Sequence, residues 1–170
     1  MLRFLFPRLT APQRRGQSLF DSAVGEARQR HWYIEGGVPD TLDGRFAMLT
    51  TVCALLIVRL EMLAERSEAQ SAALAERFVE AMDAEHRQLG INDPTLGKRV
   101  RKMVGSLARR VGEWRAATLD EDQWDAIVRS SVYGAEPATA DQIGHSSARL
   151  RDLWRRLRAS PDADMLEGKY

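Results

Sequence analysis

Between Leu42 and Leu63 an apolar side chain returns at alternating steps of four and three: Leu42, Phe46, Leu49, Cys53, Leu56, Leu60 and Leu63. That spacing sets them on one face of an α-helix. Met48, Val52, Leu55 and Met62 widen the face to most of the circumference, which predicts a helix enclosed by other elements. From Thr41 to about Ala64 such a helix is roughly 36 Å long at about 1.5 Å per residue. Each large side chain it buries contributes roughly 1.5–3 kcal/mol, so it dominates the core. Its uncharged run, Phe46 to Val58 between Arg45 and Arg59, is 13 residues. A membrane span needs about 20, and a run of about 10–14 reads as a buried core helix.

The flanks of this rod extend the pattern. Gln17 to about His31 carries Leu19, Phe20, Val24 and Ala27 at helical spacing, followed by Trp32-Tyr33 and a Gly36-Gly37 break. Asp40 or Thr41 is placed to cap the central helix, with Asp43 in its first turn. Ser67 to Leu89 presents Leu74, Phe78, Met82 and Leu89 and stops at Gly90. Asn92-Asp93-Pro94 opens a helix to about Ala117 with Leu96, Val100, Met103, Leu107, Val111 and Trp114 inward. Leu119 to Tyr133 and Thr139 to Arg158 complete the set, and no stretch alternates as a strand does. The expected fold is all-α, a single-domain bundle of about six helices around a long central one. Residues 1–16 read as a flexible or membrane-touching segment, 17–158 as the helical domain, and 159–170 as a disordered tail.

The N-terminal MLRFLFPRL is too short and too interrupted by Arg3, Pro7 and Arg8 for a signal peptide. Phe4, Leu5 and Phe6 inserted in a bilayer would anchor weakly. With 25 basic against 24 acidic residues, the chain as a whole has no drive toward nucleic acid, and DNA is not an expected partner. The one cysteine, Cys53, lies on the apolar stripe; it rules out an internal disulfide, suits a reducing compartment and leaves no zinc or iron–sulfur set.

Catalytic signatures are absent: no phosphate-binding glycine loop, no His-Glu-x-x-His, no Gly-x-Ser-x-Gly. Asp83-x-x-His86 with Glu80 has the spacing of half a di-iron carboxylate site, but no Glu-x-x-His supplies the rest, and a solvated helix face explains it. No cofactor is called for. The sharpest asymmetry lies on the Leu96–Ala117 helix, where Lys98, Arg99, Arg101, Lys102, Arg109, Arg110 and Arg115 oppose Glu113 alone. This face either pairs with the acidic Glu61–Glu85 and Asp120–Asp125 stretches or meets RNA, anionic lipid or an acidic protein. Lys98, Arg99, Arg101, Lys102, Arg109 and Arg110 are the candidate contacts.

Several strings resemble one family. Trp32-Tyr33, Val38-Pro39-Asp40-Thr41-Leu42-Asp43-Gly44-Arg45-Phe46, Arg59-Leu60, Leu89 to Asp93, Gly97 to Met103 and Val132-Tyr133-Gly134 are similar to the ubiquinol–cytochrome c chaperones, the group that includes the mitochondrial assembly factor for the cytochrome bc1 complex. The resemblance spans about Gln17 to Leu157; Ala47, Val52 and Leu107-Ala108-Arg109-Arg110 depart from it. It implies a non-enzymatic helical chaperone that binds newly made cytochrome b, with a small helper protein and the ribosome exit region as further partners. For this chain it implies a cytoplasmic protein acting near the inner membrane, with peripheral contact to anionic lipid. The competing readings are a helical adaptor unrelated to respiration and a carboxylate-bridged metal enzyme.

Overall fold

The structure is a computed structural model that describes residues 15–63, 67–88 and 96–170. The N-terminal segment up to residue 14, the stop at Leu89-Gly90 and the Asn92-Asp93-Pro94 start fall outside the described residues, as do the side chains of His86 and Arg99. Eight α-helices are found among the described residues, with no strand: α1 (Gln17–Ala27), α2 (Arg30–Tyr33), α3 (Leu42–Leu60), α4 (Ser67–Gln88), α5 (Leu96–Ala117), α6 (Trp124–Val128), α7 (Ala140–Ala159) and α8 (Asp162–Leu166). A 3-10 turn, Glu121–Gln123, leads into α6, and a π-helical turn, Arg129–Tyr133, leaves it.

The apolar rod is the axis of the bundle. α3 packs against α1, α4, α5, α7 and the π turn, and every residue from Met48 to Leu60 is buried. Burial on all sides obliges its polar groups to find partners within the protein. Thr50 and Thr51 donate back to the carbonyls of Phe46 and Ala47 at 2.6 and 2.8 Å. Arg59 turns inward to the end of α7, donating from Nε to the Leu157 carbonyl at 2.9 Å and pairing through Nη2 with Asp162 at 2.8 Å. A cation on the last carbonyls of a helix completes its C-terminus.

Several boundaries differ from the sequence expectation, and α3 itself ends at Leu60 rather than near Ala64. The first helix does not run on to His31; it ends at Ala27, and Gln29 is extended (φ −61°, ψ 134°) before α2. The aromatic pair braces the stop: Trp32 Nε1 donates to the Glu26 carbonyl, which also accepts from the Gln29 amide at 3.2 Å, and Tyr33 Oη donates to the Ala27 carbonyl, each side-chain bond at 2.8 Å. Residues 159–170, expected as a disordered tail, instead hold α8. Met165 is buried in the common core, Ser22 Oγ donates to the Gly168 carbonyl, and Glu26 at the end of α1 pairs with Arg156 at 2.9 Å. Met165, Leu166 and Tyr170 are too few to show a helical period, and long-range contacts hold the segment.

Candidate functional site

The Pro39–Phe46 string is a mechanical device. Thr41 Oγ1 accepts from the Gly44 amide at 3.2 Å as the cap of α3, while Asp40 swings aside to pair with Arg45 at 2.6 Å. The hydrogen bond to Arg45 holds the Asp40 carboxyl below its usual range. Gly44 is buried under the Pro39 carbonyl, where an added Cβ would sit 1.9 Å from that oxygen. Phe46 meets Phe78 of α4 with ring centroids 5.7 Å apart.

What this device positions is a groove of about 670 Å³ between α1, α2, the start of α3 and the later part of α4. Its floor is Phe20, Val24, Tyr33, Phe46, Leu49 and Met82. Ile34 (60 % exposed) and Leu42 (38 %) stand at its lip. The rim is charged but unevenly matched. Asp40 and Arg45 satisfy each other on one side, and Asp21 accepts from Gln17 at 2.8 Å. Arg28 and Arg30 are exposed and make no ion pair among the described residues.

A polar knot braces the far side of α2. Tyr133 Oη lies 2.6 Å from the Gly36 carbonyl, 2.9 Å from the Gln142 carbonyl and 2.8 Å from Ser146 Oγ, tying the π turn, the Gly36-Gly37 break and α7 together. Burial raises its hydroxyl pKa above the usual phenol value. Beside it, His145 Nε2 is 3.3 Å from His31 Nδ1, and His31 Nε2 donates to Gln29 Oε1 at 3.0 Å. The chain is consistent with a neutral His31 that accepts from His145. Its pKa is lowered by burial first, then by His145 and Arg149, against the opposing pull of Glu26 and Glu35.

The cationic helix, α5, divides into two groups. Lys98, Arg101, Lys102 and Arg109 are exposed; Arg109 pairs with Glu113 at 2.5 Å, and the other three make no ion pair among the described residues. Arg115 grips Glu61 with both nitrogens, at 2.7 and 2.9 Å, so the expected pairing with an acidic stretch is met at this end. Arg110 is a correction. Expected as a surface contact, it is 7 % exposed and donates to the Ser131 carbonyl (2.8 Å from Nη2) and to Ser106 Oγ (2.5 Å). Ser131 lies in the last turn before the helix stops at Tyr133, where carbonyls run out of ladder partners, and the guanidinium serves its oxygen. Burial, aided by Arg109, lowers its pKa to about 10.

The remaining sequence candidates are dispersed. Among the described residues no three His, Cys, Asp or Glu side chains converge as metal ligands, and Glu80 is paired with Arg77 at 2.7 Å. Cys53 is buried, which drives its thiol pKa far up. No helix among the described residues is long and apolar enough to cross a membrane. Sequence reading missed the groove, the histidine pair and the burial of Arg110, each of which joins residues distant in the chain. The one signal available for Arg110 was its place beside the inward Val111.

The fold is an all-helical domain in which a capped central helix stands beside an apolar groove. Residues 35–170 match the family described as Ubiquinol-cytochrome C chaperone, and the chain belongs to it. The fold is also that of the crystal structure of the Cbp3 homolog from Brucella abortus, at a TM-score of 0.78 and 25 % identity, covering 99 % of this chain and 94 % of that one. No curated protein matches the sequence.

Proposed function

We propose that this protein is a non-enzymatic assembly chaperone of the cytochrome bc1 complex that binds newly made cytochrome b. The observation that carries this is the family match over 35–170, which takes in the capped Pro39–Phe46 device beside the groove. The cationic stretch Lys98, Arg101, Lys102, with Arg109, supports contact with a polyanionic surface, either the ribosome exit region or anionic headgroups of the inner membrane. In this reading the protein acts in the cytoplasm, peripheral to that membrane, with a small helper protein as a further partner. Deleting the gene should lower b-type haem absorbance and bc1 levels; normal spectra and levels would refute the role. Changing Lys98, Lys102 and Arg109 together to Glu should abolish co-sedimentation with ribosomes or anionic vesicles while leaving the helical circular dichroism intact. Unchanged co-sedimentation removes that face from the account.

A further inference from the structure

We propose that the groove between α1, α2, α3 and α4 takes an apolar α-helical segment of the client carrying a carboxylate near one end, read by Arg28 and Arg30. This rests on the chaperone reading above for the client's identity, but not for the groove's chemistry.

Three observations lead there. The floor is apolar and half-open, and its volume of about 670 Å³ sits in the range of about 300–1,000 Å³ that ligand sites occupy. Its lip leaves Ile34 60 % exposed, an apolar side chain that gains by being covered. The long walls, α1 and α4, are helix interiors whose backbone groups pair within their own ladders, so an extended occupant would find no sheet edge there for its N–H and C=O groups. A helix satisfies them internally and presents apolar side chains at i, i+3, i+4 and i+7.

Charge sets the polarity of that occupant. Asp40 and Arg45 cancel at one edge, and Asp21 is occupied by Gln17. Arg28 and Arg30, flanking the break between α1 and α2, are the rim cations without an ion-pair partner among the described residues, and against the single carboxylate of Asp21, held only by the neutral Gln17 amide, they leave the rim net positive. Two guanidiniums facing an incoming segment favour a carboxylate there and penalise an amine.

The test uses three synthetic twelve-residue peptides with the full-length protein. One has Leu at i, i+3, i+4 and i+7 with a terminal pair of Glu, the second replaces those Glu by Lys, and the third scrambles the Leu positions. Fluorescence anisotropy should show the Glu peptide binding about tenfold tighter than the Lys peptide, as two rim pairs imply, and the scrambled one failing to bind. The double variant Arg28→Glu/Arg30→Glu should reverse that order, and Ile34→Asp should weaken every peptide. All three residues are exposed, so unchanged thermal unfolding will show that the variants fold. Absence of binding by the Glu peptide, or an order that survives the charge reversal, overturns the proposal. The same variants in cells separate the two readings. Normal bc1 levels with a deleted gene would refute the chaperone role and leave a charge-selective groove standing. A deletion defect that Arg28→Glu/Arg30→Glu rescues fully would refute the groove and leave the role.

Discussion

Gly44→Ala puts two physical effects in direct opposition. In a helix interior, alanine is favoured over glycine by about 1 kcal/mol, so propensity alone predicts a more stable protein. Gly44 lies in the first turn of α3, buried, with the Pro39 carbonyl 1.9 Å from where the methyl would be. Reaching ordinary contact at 3.4 Å requires that backbone oxygen to retreat by 3.4 − 1.9 = 1.5 Å. Residues 39–41 must move with it. Overpacking of this kind costs about 1–3 kcal/mol, and loss of the Thr41 cap about 1 kcal/mol more. Subtracting the propensity gain leaves a destabilisation of about 1–3 kcal/mol, or a fall in melting temperature of roughly 2–12 °C for a domain of this size. Gly105→Ala is the control: Gly105 is exposed in α5 with nothing within 4 Å of its added Cβ. It should gain about 0.5–1 kcal/mol. Urea unfolding of both variants measures the contrast. If Gly44→Ala were neutral or stabilising, the claim that the Pro39 carbonyl demands glycine would be wrong.

Other consequences can be measured in the same way. Arg110→Met should cost about 1–3 kcal/mol in urea unfolding, because the Ser131 carbonyl is left buried without its donor; a surface arginine would give no change. Met165→Ala should destabilise by about 2–5 kcal/mol if α8 is part of the core, whereas a loose tail would show nothing. His31 has its pKa lowered in the folded state, so below about pH 6.5, the unfolded value, the unfolded chain takes up a proton that the native one refuses. Stability should therefore fall as pH drops from 7.5 to 5.5. That dependence should shrink in His31→Asn, and an identical profile in the variant would rule out the pair as its source.

The sequence by itself determined that the stretch from Thr41 to about Ala64 holds a core helix, which the structure bounds at Leu42 and Leu60, because a 3.6-residue period wide enough to cover the helix can only be buried among other elements. It also narrowed the cap of that helix to Asp40 or Thr41, since capping depends on side chains within three residues of the helix start; the structure chose Thr41 and added the capping box at Thr139. The family strings around Pro39–Phe46 and Val132-Tyr133-Gly134 were visible, but not their work. That Gly44 answers to a carbonyl five residues back, that Tyr133 ties Gly36 to Ser146, and that Arg110 faces inward to Ser131 were settled by packing. The same holds for the groove, whose walls come from four helices, and for α8, held by Arg59 and by Ser18 and Ser22 of α1. Periodicity records how a residue relates to its own helix. It carries no record of which distant backbone oxygen is left unpaired, and in this protein those oxygens decide where the charged and aromatic side chains go.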